Sequence, residues 1–236
     1  MKSLRVALLA MAGMLTGVLV KAQTADEIIN KHIEAIGGKE KISSIKTVYT
    51  EFTMDVQGNQ ANGMSYLVNG KGYRNEIDFG GQKIVQCYTE KGGWQINPFM
   101  GQTTAEPMPE DQAKAGVPQL FVGGPLKDYA SKGYTVELLE KADGAFPIKV
   151  DTKDGAIMTF YIDPETYYIK KLVSKSTVDG QEVETTVIYS DYQKTDYGFV
   201  SPKTTEVNLP QGFLLVVNTT KIEFNKEIDM KIFEKE

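Results

Sequence analysis

Cysteine, histidine and tryptophan each occur once, as Cys87, His32 and Trp94, in a chain of 236 residues. A lone thiol forms no internal disulfide, and one thiol with one imidazole cannot supply a zinc site without heavy use of carboxylates. His32 stands between Lys31 and Ile33 in a helical pattern with no nucleophile beside it. A Ser-His-Asp or Cys-His pair would therefore have to be assembled by tertiary contact. The D-x-D-x-D-G calcium loop and the G-x-G-x-x-G and G-K-[ST] phosphate cradles are missing as well. The pairs Gly37-Gly38, Gly80-Gly81, Gly92-Gly93 and Gly123-Gly124 stand at the ends of elements and read as turns. The sequence accordingly predicts no catalytic residue, no metal and no cofactor. Cys87 lies in the alternating run Lys83–Tyr88 and reads as a buried, inert thiol on a strand.

Positive charge is scarce too. Lysine and arginine total 26 against 31 acids, a formal charge of −5. That balance argues against nucleic acid, which demands a surplus of cations, and against adhesion to an anionic lipid surface. A long apolar run occurs only at the N-terminus. Lys2 and Arg5 precede the uncharged stretch Val6–Val20, and Val20-Lys21-Ala22 places small or β-branched residues where a signal peptidase reads. The expectation is a signal peptide over 1–22, with an uncleaved anchor helix as the blander alternative. No cysteine follows the cut, so a lipid anchor is not expected; the exported product is predicted to be a soluble, monomeric periplasmic protein with residues 23–236 as one domain. Loss of Lys2, Arg5 and Lys21 would leave it more acidic still.

The remaining chain opens on a helix. Thr24 and Glu27 form a capping box, Ile28, Ile29, Ile33 and Ile36 fall on one stripe, and Gly37-Gly38 ends it. A short helix over Lys39–Ser44 follows. From Thr47 the period becomes two: Val48, Thr50, Phe52, Met54 and Val56 alternate with polar residues. Strands are predicted at Met64–Val68, Gly72–Phe79, Lys83–Thr89 and Trp94–Ile96, separated by hairpin signals such as Asn69-Gly70. Asn97–Tyr129 breaks the rhythm with five prolines and short helices near Glu110–Ala115 and Leu126–Ser131. Strands resume at Tyr134–Glu140, Phe146–Thr152, Ala156–Asp163, Tyr168–Val178, Gln181–Tyr189, Lys203–Leu209 and Phe213–Asn225, with turns at Asp154-Gly155, Asp179-Gly180 and Gln211-Gly212 and a helical turn near Asp229–Phe233. The fold class is mainly β, and about eleven or twelve strands exceed what a flat sheet holds, so a strongly curved or partly closed sheet is expected.

Unusual apolar surface is concentrated in the insertion. Phe99, Met100, Met108, Leu120 and Phe121 stand amid proline and glycine near Trp94, and Phe52, Met54, Tyr66 and Phe79 add apolar groups from the strands. These ten residues are candidate walls and lid of a ligand cavity. The alternative is an ordinary core beneath an ordinary loop.

The segments TADEIINKHIEAIGGKEKI, IVQCYTEKGGWQINPFMG and PMPED, and an ending in which Asp229 precedes Phe233 by four residues, resemble outer-membrane lipoprotein-sorting proteins of Bacteroidetes type. These are distant relatives of the periplasmic lipoprotein carrier LolA. The resemblance implies an incomplete antiparallel β-barrel of about eleven strands with helices on its concave side. It also implies a non-catalytic carrier that shields acyl chains of lipids or lipoproteins and meets envelope transport proteins. An envelope interaction or sensor module that binds a partner protein is the alternative. The carrier has a basic residue at its cavity mouth. Arg74, the only arginine beyond the leader, lies on a strand where either a solvated face or that role is open.

Overall fold

The computed structural model describes residues 23–153, 155–178, 181–209 and 212–235. The leader over 1–22, and Asp154, Asp179, Gly180 and Gln211 of the expected turns, lie outside the described residues.

Helix α1 (Ala25–Ala35) begins at the predicted capping box, with Thr24 accepting from the Glu27 amide and Glu27 answering to the Thr24 amide, and α2 (Lys39–Ser44) follows. Six strands come next: β1 (Thr47–Val56), β2 (Asn59–Val68), β3 (Gly72–Phe79), β4 (Gln82–Thr89), β5 (Gly92–Ile96) and the short β6 (Glu106–Pro107). Helix α3 (Glu110–Gly116) and two 3-10 turns lead to β7 (Thr135–Leu138), β8 (Phe146–Asp151), β9 (Ile157–Ile162), β10 (Ile169–Val178), β11 (Gln181–Lys194), β12 (Val200–Asn208) and β13 (Leu214–Phe224). All thirteen strands form one sheet in the order 6-5-4-3-2-1-13-12-11-10-9-8-7, every adjacent pair antiparallel. Edge strands β6 and β7 do not pair, so the barrel stays open.

Two expectations are corrected in detail. The strands number thirteen among the described residues against the eleven or twelve expected, because a short bridge forms at Glu106–Pro107; β2 also starts earlier than expected, at Asn59. The run Asn59–Gly63 has no large apolar group to mark its period, yet it pairs with Val56–Phe52. The helix expected at Leu126–Ser131 is instead a turn followed by a 3-10 turn at Tyr129–Lys132, entered through Asp128 with a left-handed backbone.

The order of strands dictates a lid. β6 and β7 lie at opposite edges, so residues 108–134 must cross the whole sheet to connect them. They cross on the concave side. Tyr73 and Tyr88 project there and pack with Met108, Ala113 and Leu120 of the crossing. Ile28, Ile29, Ile33 and Ile36 of α1, with Val122 and Leu126 of the crossing, share a core with Ile148, Val150, Met158, Phe160 and Ile162 of β8 and β9. The isoleucine stripe predicted for α1 thus meets the concave sheet, and this burial holds the domain together without a disulfide. The C-terminal residues lie on the other, convex face. Phe233 packs there against Val85, Cys87 and Trp94.

Candidate functional site: a cavity between the sheet and the crossing segment

A cavity of about 430 Å³ opens between α1, the crossing segment and strands β9 to β12. Its roof consists of His32 and Ile36 from α1 with Ala115, Pro118, Gln119 and Gly123–Leu126. Its floor is Met158, Phe160, Ile169, Leu172, Ser174, Tyr189, Tyr192 and Phe199–Pro202. The floor follows from register: paired residues of neighbouring strands share a face. Phe160 pairs with Leu172, Leu172 with Val187, Val187 with Val207, Val207 with Leu215, and Leu215 with Val56. One apolar rung therefore runs across the concave face from β9 to β1. Val187, Val207, Leu215 and Val56 remain half-buried, so the apolar trough continues past the cavity.

The roof is pinned at both ends. Gly70 donates its amide to the Leu120 carbonyl at 2.7 Å, and Val122 donates to Asn69 Oδ1 at 3.0 Å. Toward α1, Tyr129 donates to Asp26 Oδ1 at 2.5 Å, and Asp128 holds Lys39 at 2.7 Å. Lys127 and Lys39 hold the Asp128 carboxyl down to about 2, far below its ordinary value. Lys132 donates to the carbonyls of Gly124 and Lys127 and lies over the Phe121 ring. Burial lowers its pKa to about 8. Gly116 is required where α3 seats on the sheet, because a Cβ there would lie 2.1 Å from Tyr88 Cδ1.

The few polar groups in the cavity are uncharged. His32 is 3% exposed, and its Nδ1 bonds the Tyr167 carbonyl at 2.8 Å. Desolvation lowers its pKa, outweighing that bond, and keeps the ring neutral. Tyr192 donates to the Ile169 carbonyl at 2.7 Å and stacks on Tyr168 at 4.5 Å. Burial pushes the Tyr189 phenol up to about 12 and raises Tyr192 likewise. Among the described residues no group of three or more His, Cys, Asp or Glu side chains could hold a metal.

The ten residues expected to line a cavity do not meet in this one. Phe52 and Met54 face the concave side, Phe52 lying flat over Gly63, where a Cβ would come within 2.2 Å of its ring, but they belong to the far part of the trough. Phe79 meets Phe99 edge-on at 5.8 Å at the rim of the sheet, and Phe99 and Met100 are 59% and 69% exposed. Met108 and Leu120 are buried where the crossing packs on Tyr73 and Tyr88, and Phe121 lies at its edge, under Lys132. Tyr66 and Trp94 point to the convex face, away from the cavity. Strand parity places them there: Tyr66 pairs with Arg74, Arg74 with Cys87 and Cys87 with Trp94.

The same parity assigns Arg74. Its Nε binds Glu76 at 2.8 Å, another of its nitrogens donates to the Ile232 carbonyl at 2.5 Å, and the guanidinium stacks over Trp94. With Trp94 Nε1 donating to the Phe233 carbonyl at 2.9 Å, these contacts clasp the C-terminal turn. The true floor residues escaped sequence reading because Leu172, Tyr189 and Tyr192 look like any alternating strand. The one available signal was the apolar register shared by successive hairpins.

The sequence matches no family profile and no curated protein. Solved structures do match. An outer-membrane lipoprotein-sorting protein domain from Vibrio parahaemolyticus shares 13% identity over 87% of this chain and 95% of its own, at a TM-score of 0.57. A LolA-superfamily protein from Nitrosomonas europaea shares 14% over 91% and 99%, at 0.60. A DUF1329-family protein from Desulfovibrio piger shares 12% over 90% and 98%, at 0.59. In fold, this chain is a LolA-like incomplete barrel, a curved antiparallel sheet with its helices on the concave side.

Proposed function

We propose that the protein is a non-catalytic lipid carrier of the bacterial envelope that encloses one hydrocarbon chain of a lipid or lipoprotein between the sheet and the crossing segment. The observation that carries this reading is the open apolar cavity of about 430 Å³ on the concave face. With about 30 Å³ for each water-sized group, that is room for about fourteen methylenes. At about 0.8 kcal/mol per buried methylene the gross gain over water is about 11 kcal/mol, enough to keep a chain out of the aqueous phase. A partner-binding module would be served as well by a filled interior, so the cavity favours the carrier. The periplasmic address rests on the predicted leader; among the described residues no helix is long and apolar enough to cross a membrane.

The test is direct. Native mass spectrometry of protein purified from bacterial envelope should show co-purified lipid, and the neutral fluorophore N-phenyl-1-naphthylamine should bind at one site per chain. Folded protein that carries no lipid and leaves the fluorophore dark would overturn the reading.

A further inference from the structure

The chemistry of the cavity wall limits the lipid class, an inference that rests on the carrier reading above. No lysine, arginine, aspartate or glutamate is among the described residues that line the cavity. Its titratable groups are His32 from α1 and Tyr189 and Tyr192 from β11; the lining residues of β9, β10, β12 and the crossing have none. His32 spends one nitrogen on the Tyr167 carbonyl and is buried, and both phenols are protonated at neutral pH. An anion drawn inside would therefore lose its water and gain no cation, the least favourable way to bury a charge. Hydroxyls of Ser174, Ser201 and Tyr189 can instead bond an alcohol or ester oxygen.

We propose that the cavity selects uncharged lipid, a hydrocarbon chain ending in a hydroxyl or ester, and rejects the free fatty-acid anion of the same length. Two lysines of the crossing segment beside the roof, Lys127 and Lys132, are engaged elsewhere: Lys127 with Asp128, and Lys132 with two backbone carbonyls.

Displacement of N-phenyl-1-naphthylamine by tetradecanol and by myristate separates the possibilities. At pH 8 tetradecanol is expected to compete at least 100-fold more tightly than myristate. Myristate should gain at least tenfold between pH 8 and pH 5, as its own carboxyl takes up a proton. Ser174→Lys, which sets a cation in the floor, should improve myristate relative to tetradecanol at least tenfold at pH 8. Equal competition by the two lipids at pH 8 would overturn the selectivity and leave the carrier reading intact. So would a Ser174→Lys protein that still binds tetradecanol but shows no gain for myristate. If the fluorophore itself fails to bind folded protein, both the selectivity and the carrier reading fall.

Discussion

Leu172→Trp tests whether cargo occupies the cavity rather than another part of the concave face. Leu172 is half-buried on β10, paired with Phe160 on one side and Val187 on the other, and projects into the cavity. An indole adds about six non-hydrogen atoms, about 60 Å³, to the isobutyl group it replaces, and in a cavity of about 430 Å³ those atoms take the place of about two methylenes of a guest. At about 0.8 kcal/mol each, the guest loses about 1.6 kcal/mol, close to fifteenfold in affinity. The fold should not suffer, because the indole enters empty space; filling a cavity commonly adds about 0.5–2 kcal/mol. Urea unfolding of the free protein and displacement of N-phenyl-1-naphthylamine by tetradecanol measure the two quantities separately. A stable variant that binds as well as the parent would show that cargo lies elsewhere, for example along Phe52 and Met54. A variant that unfolds would show the site already packed, contrary to the geometry described.

Three further outcomes are expected. Arg74→Ala should cost about 2–3 kcal/mol in urea unfolding, because it leaves Glu76, only 12% exposed, with Lys83 alone and frees the Ile232 carbonyl. The same change should shift Trp94 fluorescence to the red as the C-terminal turn lifts, and an unchanged spectrum would mean that Arg74 merely decorates the convex face. Asp128→Asn keeps a residue type at home in the left-handed backbone but removes the charge. The folded pKa of Asp128, about 2, lies below its ordinary value, so its stabilisation is present above that value and is lost as pH falls from about 4 to about 2. The parent should thus melt higher than Asp128→Asn at pH 7, with the gap closing by pH 2; a constant gap would refute the assignment. Phe99→Glu and Met100→Glu, at positions 59% and 69% exposed, should change stability by no more than about 1 kcal/mol, Phe99 giving up its edge-on contact with Phe79, and leave tetradecanol affinity as it was. A tenfold loss of affinity would bring that rim into the binding path.

What the sequence determined by itself is local and periodic. Thr24 and Glu27 set the start of α1, since a capping box needs residues only three apart, and the isoleucine stripe declared that this helix required an apolar partner. Alternation and glycine turns gave most of the strands and their antiparallel sense, because a two-residue hairpin permits no other. The tertiary structure decided which face each strand shows. Trp94 and Tyr66 look as apolar in sequence as Leu172 and Phe160, yet a closed chain of pairings puts the first two beneath the C-terminal turn and the others in the cavity floor. Parity is relative: one strand fixes the next, but nothing local states which side is concave until α1 and the crossing segment lie on it. The place of β13 beside β1 closes the two runs of strands into one trough, and it joins residues about 170 positions apart, beyond the reach of any local pattern. That single long-range pairing turns two meanders into an enclosure with an apolar interior.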